Sequence, residues 1–237
     1  MNRTDHAWWS PFRTIDGIDL VHVDLRPDPE RERKAAAWLD RAEKERLRRL
    51  QIERPRREFA LCRAALRANL CRLLDCPNDR LSFGVHEHGK PFARVGGEAA
   101  SVSFNVSHSA PHGLIAFASR GRVGVDAEVR RTGRDFDGIA RRVFGAEEQA
   151  TLAAAWGDGK VRLFYRLWTM KEALIKALGT GFSLHPSGFE VPSTMVRGAD
   201  SGTFLFPHRP ADRWRLEYLD DTRFAAALAH EVITDRG

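Results

Sequence analysis

The sequence predicts an α+β protein of two similar halves, each with a long helix packed on a small antiparallel sheet. A long helix pattern occurs twice, at residues 56–74 and 161–178, and strand patterns surround both helices. Apolar residues spaced three to four apart predict a helix, whereas strict alternation predicts a strand. No Pro-, Gly- or Ser-rich linker separates the halves. We therefore expect residues 1–118 and 119–237 to form halves that meet directly.

The first half is expected to contain a strand, two helical segments and further strands. Residues 17–25 alternate apolar and polar side chains, which predicts a strand. A helix is expected to begin at Asp28, a capping residue followed by proline, with a break near Asp40. Pro55 interrupts the helical pattern before the long helix begins. Further strands are predicted at residues 81–85, 102–106 and 113–118.

The second half repeats the combination of a strand-rich segment and a long helix. Residues 122–128 read as a strand, and the preceding Ser119-Arg120-Gly121 predicts a hairpin with the strand before it. Three helices are expected, at residues 138–142, 147–155 and 161–178. Gly179 and Gly181 follow the last helix and are a usual C-terminal stop. Strands are expected at residues 189–191, 203–206, 214–219 and 224–230.

The composition is typical of a globular protein, with 43% hydrophobic and 30% charged residues. Its apolar runs are far shorter than the roughly 20 residues of a spanning helix, and the N-terminus lacks a signal-peptide pattern. The three cysteines are odd in number and lack zinc spacing, so we expect a cytoplasmic protein. A net charge of +6 suggests an anionic partner: nucleic acid, an acidic protein or a phosphorylated small molecule.

Two acidic clusters have the spacing expected of a single metal site. Asp126 and Glu128 are two residues apart on a predicted strand, so their side chains leave the same face. Glu172 and Lys176 are four residues apart on a predicted helix and also share a face. Three carboxylates and a lysine could hold a hard cation beside a phosphate. Each pair alone is more often an ordinary surface pair, and only the order of motifs along the chain favours a site.

Five motifs, in this order, resemble the 4′-phosphopantetheinyl transferases of the Sfp type. They are GKPFA (89–93), FNVSHS (104–109), VGVDAE (123–128), VFGAEEQ (143–149) and FYRLWTMKEALIKALGTGFSL (164–184). The resemblance implies a monomer of two pseudo-symmetric halves with the active site between them. It also implies that phosphopantetheine passes from coenzyme A to a serine of an apo acyl or peptidyl carrier protein, releasing adenosine 3′,5′-bisphosphate.

The resemblance further implies roles for individual residues. Asp126, Glu128 and Glu172 would bind Mg²⁺, and Glu172 would also accept the proton of the attacking serine. Lys176 would hold a phosphate of the coenzyme as a point charge during the reaction. The other implied contacts with coenzyme A come from Arg63, Gly89, Lys90, Pro91, Val106, Ser107, His108 and Ser109.

Two other functions remain open from the residues alone. A metal-dependent nuclease also combines a strand carboxylate with a Glu–Lys group, but its pattern places these residues two apart on a strand. A non-catalytic nucleic-acid-binding protein would fit the basic charge, although acidic groups in a phosphate groove repel the ligand. We therefore expect a transferase that binds neither nucleic acid nor a membrane.

Overall fold

The structure, a computed structural model, describes residues 8–179 and 184–233. The strands are β1 (Trp9–Ile15), β2 (Ile18–Asp24), β3 (Leu81–Val85), β4 (Pro91–Val95), β5 (Glu98–Ala99), β6 (Ser103–Ser109), β7 (His112–Ala118), β8 (Val123–Glu128), β9 (Ser201–Phe206), β10 (Arg209–Asp220) and β11 (Ala225–Glu231). The helices are α1 (Pro29–Trp38), α2 (Arg41–Arg49), α3 (Glu53–Leu73), α4 (Phe136–Val143), α5 (Ala146–Ala154), α6 (Gly157–Leu178) and α7 (Ser193–Val196). Gly181, one of the two predicted stop residues, lies outside the described residues.

Two four-stranded antiparallel sheets form the frame of the molecule. Their strand orders are β1-β2-β7-β6 and β8-β11-β10-β9, and a smaller sheet has the order β3-β4-β5. The expected α+β class with small antiparallel sheets is confirmed. One four-stranded sheet uses strands that end by residue 118, and the other uses strands that start at residue 123. The division of the chain into halves at residue 118 stays a prediction.

Three apolar clusters hold the sheets and the long helices together. One cluster packs α3 against residues such as Val21 and Ile115 of the first sheet. A second packs α6 against the small residues Ala225, Ala227 and Ala229 of β11. The third contains residues of both sheets, which joins the two sheets to each other. Each long helix therefore covers one face of a sheet, while the third cluster connects the two large sheets.

Strands β7 and β8 do not form the predicted hairpin. β7 pairs with β2 and β6, whereas β8 pairs with β11 in the other sheet. The side chains of Val123, Val125 and Ala127 on β8 are buried in the cluster that joins the sheets. The hairpin prediction is wrong because this long-range packing carries β8 into the second sheet, and the short turn after β7 becomes a connection between sheets.

The helix break near Asp40 is confirmed, and its cause is a capping box. The Asp40 side chain accepts a hydrogen bond from the Glu43 backbone N–H, and the Glu43 side chain accepts one from the Asp40 N–H. Pro55, by contrast, is the third residue of α3 and lies inside the helix. The first turn of a helix tolerates proline because its N–H groups have no intrahelical acceptor.

Strands β1 and β4 were not expected from the sequence, and both contain a proline. Pro11 lies at a register shift in β1, which is an edge strand, and Pro91 is the first residue of β4. These are the places where a sheet accepts proline, because a bulge, an edge or a strand start needs no ladder hydrogen bond there. Within the described ranges, no helix has both the length and the apolar character needed to cross a membrane.

The predicted strand at residues 189–191 is wrong, because a buried ion pair anchors this segment instead. Lys171 Nζ lies 2.9 Å from Glu148 Oε2, and both side chains are buried. The same ammonium donates hydrogen bonds to the carbonyls of Pro186 and Phe189. Glu148 Oε1 accepts a hydrogen bond from the Val191 N–H at 2.8 Å. Side chains of α5 and α6 therefore satisfy the backbone here.

Replacing Lys171 by methionine is expected to lower the free energy of unfolding by about 3–5 kcal/mol, because the buried Glu148 carboxylate loses its charged partner. Urea unfolding followed by circular dichroism measures this loss. Adding Glu148→Gln to Lys171→Met should restore part of the stability, since no uncompensated charge then stays buried.

The matched control is Lys160→Met, which removes the ion pair with the more exposed Asp137. Such a pair contributes about 0–1 kcal/mol. Equal losses of stability for Lys160→Met and Lys171→Met would show that the buried pair of Lys171 and Glu148 matters no more to stability than the exposed pair.

Candidate active site

The close approach of α6 to β8 depends on Gly124. A Cβ atom at this position would lie 2.2 Å from the carbonyl oxygen of Ala173 and 2.3 Å from the backbone nitrogen of Ala177. Ala173 and Ala177 are buried and lie one helical turn apart, so α6 presents a stripe of small residues to the strand. This packing brings Glu172 and Lys176 beside the carboxylates of β8.

Asp126 lies at the centre of the site. Its Oδ1 accepts a hydrogen bond from Lys176 Nζ at 2.6 Å and another from the Ser107 hydroxyl at 2.8 Å. Its Oδ2 is buried without a hydrogen-bond partner among the described residues. A buried carboxylate oxygen without a partner is unfavourable, so a cation at this oxygen would be strongly stabilised.

Glu128 and Glu172 add two further carboxylates beside Asp126. Burial raises the pKa of Glu172, and the negative charge of Asp126 raises it further, while Lys176 opposes both effects. Burial and Asp126 also raise the pKa of Glu128, against a hydrogen bond from Ser109. The three carboxylates therefore influence one another, and their accumulated negative charge is partly compensated by Lys176.

The three carboxylates fit Mg²⁺ in their donor chemistry. Mg²⁺ prefers oxygen ligands, and the partnerless Oδ2 of Asp126 is a suitable one. Within residues 8–179 and 184–233, however, no group of three or more His, Cys, Asp or Glu side chains is already gathered as a metal site. The assignment of Asp126, Glu128 and Glu172 as metal ligands stays a prediction.

Strands β6 and β8 lie side by side at the seam between the two large sheets, and side chains join them. Three side chains of β6 accept hydrogen bonds from backbone N–H groups of the segment that starts at β8. The pairs are Asn105 Oδ1 with Val125 N at 2.9 Å, Ser107 Oγ with Ala127 N at 3.2 Å and Ser109 Oγ with Val129 N at 3.1 Å. The seam therefore fixes β8, which carries Asp126 and Glu128, against the first sheet.

Four of the predicted coenzyme-binding residues line one cavity of about 220 Å³: Arg63, Pro91, Val106 and His108. His108 is 44% exposed, and its Nδ1 lies 3.5 Å from Glu58 Oε2. The Arg63 guanidinium carbon lies 4.4 Å from the centre of the Phe83 ring. The cavity thus combines the Arg63 guanidinium with the rings of Phe59 and Phe104, and the Glu58 carboxylate also lines it.

Arg46 also lines this cavity, although no sequence motif marks it as a site residue. Its guanidinium carbon lies 4.8 Å from the centre of the Phe59 ring. Arg46 is one of several arginines on α2, and nothing in the local sequence distinguishes it from its neighbours. Only the packing of α2 against α3 shows which of these arginines reaches the cavity.

Lys90 and its neighbour Gly89 occupy the turn that leads into β4. The Lys90 ammonium donates hydrogen bonds to the carbonyls of Val123, Lys176 and Ala177 at 2.8, 2.9 and 3.1 Å. Burial lowers the pKa of Lys90 to about 8. The ammonium lies at the C-terminus of α6, where carbonyls lack helical partners and the helix dipole is negative. Lys90 therefore connects the first half of the chain to the end of α6.

Comparisons with known proteins identify the family. Residues 122–229 match a family model described as the 4′-phosphopantetheinyl transferase superfamily, and residues 24–120 match one described as 4′-phosphopantetheinyl transferase, N-terminal. The 4′-phosphopantetheinyl transferase HetI of Nostoc sp. is 30% identical over 75% of this chain and 77% of its own length. The chain belongs to the 4′-phosphopantetheinyl transferase family.

Two further relatives agree with this assignment. The 4′-phosphopantetheinyl transferase Sfp of Bacillus subtilis is 28% identical over 72% of this chain and 74% of its own length. A candidate 4′-phosphopantetheinyl transferase of Synechocystis sp. is 38% identical, over 62% of this chain and 59% of that protein. The family and the class of enzyme that the five motifs predicted are confirmed, whereas the roles of individual residues in this transferase stay predictions.

Replacing Gly124 by alanine is expected to push α6 away from β8, because the new methyl group would overlap with the helix backbone. We expect a loss of about 1–3 kcal/mol in the free energy of unfolding. We also expect a loss of activity of about 100-fold, since Glu172 and Lys176 move relative to Asp126. Thermal unfolding and steady-state kinetics measure the two effects.

The control for this substitution is Gly159→Ala near the start of α6. A Cβ atom at Gly159 meets nothing within 4 Å. This change should leave activity unchanged and raise stability by about 0.4–1 kcal/mol, because alanine restricts the unfolded chain. Full activity of the Gly124→Ala variant would show that the close approach of α6 is not required.

Proposed function

We propose that this transferase moves 4′-phosphopantetheine from coenzyme A to a serine hydroxyl of an apo acyl or peptidyl carrier protein in a Mg²⁺-dependent reaction. The main support is the meeting of Asp126, Glu128, Glu172 and Lys176 at the seam of a chain that belongs to this family. The reaction forms a bond between the serine oxygen and phosphorus, and it breaks the diphosphate of coenzyme A. Adenosine 3′,5′-bisphosphate leaves, and the serine proton passes to a base.

Glu172 is the proposed base for the serine proton. Its carboxylate lies on the face of α6 that is turned toward Asp126, and burial raises its pKa above that of an ordinary glutamate. A base with a raised pKa takes up a proton more readily, which favours proton transfer in the transition state. The location of Glu172 beside Asp126 and Lys176 supports this role.

Lys176 is proposed to hold a phosphate of coenzyme A. Its side chain is 28% exposed, so the ammonium contacts Asp126 on one side and stays accessible to a ligand. An ammonium binds phosphate as a point charge and stabilises the charge that develops on phosphoryl oxygens. Lys176 would thus link the carboxylates to the reacting diphosphate.

Asp126, Glu128 and Glu172 are proposed to hold Mg²⁺. When bound, Mg²⁺ would neutralise charge on the diphosphate and on the leaving group. The three side chains supply oxygen donors, and their mutual repulsion favours a cation among them. Asp126 would use Oδ2, because Oδ1 already accepts two hydrogen bonds.

The cavity lined by Arg46, Arg63 and His108 is the proposed site for the nucleotide part of coenzyme A. Its three basic side chains suit the 3′-phosphate, and Pro91 and Val106 provide apolar walls. Gly89, Lys90, Ser107 and Ser109 are the other predicted contacts. The Lys90 ammonium already binds three carbonyls, so its contribution would come mainly from holding the turn in place.

We propose that the protein is a cytoplasmic monomer. Residues 1–118 and 119–237 would form its two halves. Three cysteines, an odd number without zinc spacing, suit a reducing compartment. Family membership favours the transferase over a nuclease or a non-catalytic nucleic-acid-binding protein. We therefore propose coenzyme A and an apo carrier protein as partners, and no nucleic acid or membrane.

The direct test is incubation of the protein with coenzyme A, Mg²⁺ and a panel of apo acyl and peptidyl carrier proteins. Intact-protein mass spectrometry should show the mass gain of phosphopantetheine on at least one carrier. A carrier whose acceptor serine is replaced by alanine is the matched control and should gain no mass. Absence of any mass gain across the panel, with cleavage of DNA under the same conditions, would favour the nuclease.

The roles of the carboxylates can be separated by titration with Mg²⁺. Asp126→Ala removes a proposed ligand, so its activity should recover in part at high Mg²⁺. Glu172→Gln keeps an oxygen that can contact the ion but cannot take a proton at neutral pH. Its activity should stay about 100- to 10,000-fold below that of the unmodified protein at every Mg²⁺ concentration, the usual contribution of a general base.

Full rescue of Glu172→Gln by Mg²⁺ would make Glu172 a ligand only and place the base elsewhere. Unchanged activity in both variants would show that the carboxylate cluster does not take part in the reaction.

The role of His108 can be tested with dephospho-coenzyme A, which lacks the 3′-phosphate. A charge-assisted hydrogen bond corresponds to roughly 10- to 100-fold in kcat/KM, so this donor should be poorer by about that factor. His108→Ala should reduce kcat/KM for coenzyme A. It should also bring the ratio of kcat/KM for coenzyme A to that for dephospho-coenzyme A closer to one. His208→Ala, in the turn between β9 and β10, is the control and should leave the ratio of kcat/KM between the two donors unchanged. If His108→Ala also left this ratio unchanged, His108 would have no role in binding the 3′-phosphate.

A further inference from the structure

The hydroxyl of Ser107 makes three hydrogen bonds at the seam. It donates to Asp126 Oδ1 at 2.8 Å, and it accepts from Lys176 Nζ at 3.0 Å and from the Ala127 N–H at 3.2 Å. A hydroxyl group offers one donor and two acceptor positions. All three positions are therefore used inside the protein, and Ser107 is buried.

These contacts fix the orientation of the Asp126 carboxylate. The Ser107 hydroxyl and the Lys176 ammonium both bind Oδ1, so a rotation of the carboxylate would break two hydrogen bonds to a charged group. Oδ2 is thereby kept as the oxygen without a partner among the described residues. The same hydroxyl also holds the Lys176 ammonium, so Ser107 controls both side chains at once.

Ser107 differs from the neighbouring side chains that join the same two strands. Asn105 accepts a hydrogen bond from the backbone of Val125 and helps to hold the strands together. Ser107 makes the equivalent contact with Ala127 and in addition reaches Asp126 and Lys176. Ser107 belongs to the first sheet, whereas Asp126 and Lys176 belong to β8 and α6. The first half of the chain thus directs two functional groups of the second half.

We propose that Ser107 is a positioning residue, whose hydroxyl orients Asp126 for Mg²⁺ and Lys176 for phosphate, and that its side chain makes no direct contact with coenzyme A. This inference rests on the proposed function and revises the role that the family resemblance implies for Ser107. A hydroxyl with all three positions in use could bind the coenzyme only by giving up one of these hydrogen bonds.

Removing the hydroxyl has defined consequences at the site. Asp126 loses one of the two donors on Oδ1, and Lys176 loses an acceptor that holds its ammonium in place. Both side chains then lose order relative to the bound ion and the diphosphate. The cavity around Arg63 and His108 does not depend on this hydroxyl, so binding of the nucleotide part of coenzyme A should stay intact.

The test uses Ser107→Ala in the complete protein. Calorimetry measures Mg²⁺ binding with coenzyme A present and carrier absent, and a separate titration measures coenzyme A binding without Mg²⁺. Mg²⁺ affinity and kcat should each fall about 10- to 100-fold, as expected when a group that orients a metal ligand is removed. The dissociation constant of coenzyme A should rise much less than that of Mg²⁺, because Lys176 keeps its contact with Asp126 and the cavity around Arg63 and His108 is unchanged.

A double-mutant cycle shows whether Ser107 acts through Asp126. In an Asp126→Ala background, adding Ser107→Ala should cause no further fall in Mg²⁺ affinity, because the group that Ser107 orients is already gone. If Ser107→Ala lowered Mg²⁺ affinity by the same factor with Asp126 present and with Asp126→Ala, the proposal would be overturned.

Asn105→Ala is the matched control for a loosened seam. It removes one hydrogen bond between the same strands, so its melting temperature should fall, although by less than that of Ser107→Ala, which loses three hydrogen bonds. Its Mg²⁺ affinity should stay at the value of the unmodified protein. If Ser107→Ala does not fold, Ser107→Cys replaces the hydroxyl by a weak donor and should change Mg²⁺ affinity and kcat in the same direction.

Three further outcomes would overturn the role of Ser107. Weaker binding of coenzyme A with unchanged Mg²⁺ affinity would make Ser107 a direct ligand of the coenzyme. A lower melting temperature with unchanged Mg²⁺ affinity and kcat would reduce its role to joining the strands. The role would also be refuted if calorimetry detected no binding of Mg²⁺ to the unmodified protein. Failure of the transferase assay on every carrier is a separate result, because the binding titrations and the cycle need no carrier.

Discussion

The ion pair between Lys176 and Asp126, held by the Ser107 hydroxyl, is the interaction on which the site depends. It joins a helix to one strand from each of the two large sheets. Because Asp126 is buried, its charge needs compensation, and the loss of either partner would leave an uncompensated group in the interior. The geometry of the proposed catalytic groups is therefore coupled to the way in which the two sheets meet.

Several contacts keep α6 where this ion pair requires it. Gly124 lets the helix backbone approach β8 closely. Lys90 binds the carbonyls at the C-terminus of the helix, and Lys171 binds the buried Glu148 on another face. The proposed catalytic side chains thus stand on elements that are anchored from several directions, which limits their movement during the reaction.

Local sequence patterns predicted the two long helices, because the residues that define a helix lie close together in the chain. The two long helices extend over Glu53–Leu73 and Gly157–Leu178, close to the expected ranges, because their apolar stripes and the stop at Gly179 are encoded nearby. The prolines in β1 and β4 concealed two strands, since proline argues against a strand unless its position in the sheet is known. The hairpin prediction failed because the partner of β8 is β11, about a hundred residues away.

The sequence by itself determined the α+β class, the family motifs and the three carboxylates with Lys176 as the candidate site. Residue type and spacing suffice for these conclusions because they set the face on which each side chain lies. Only the tertiary structure decided that Ser107 and Lys90 use their polar atoms inside the protein and that Arg46 lines the same cavity as Arg63 and His108. Hydrogen-bond partners and burial are set by residues far apart in the chain, so no local pattern contains them.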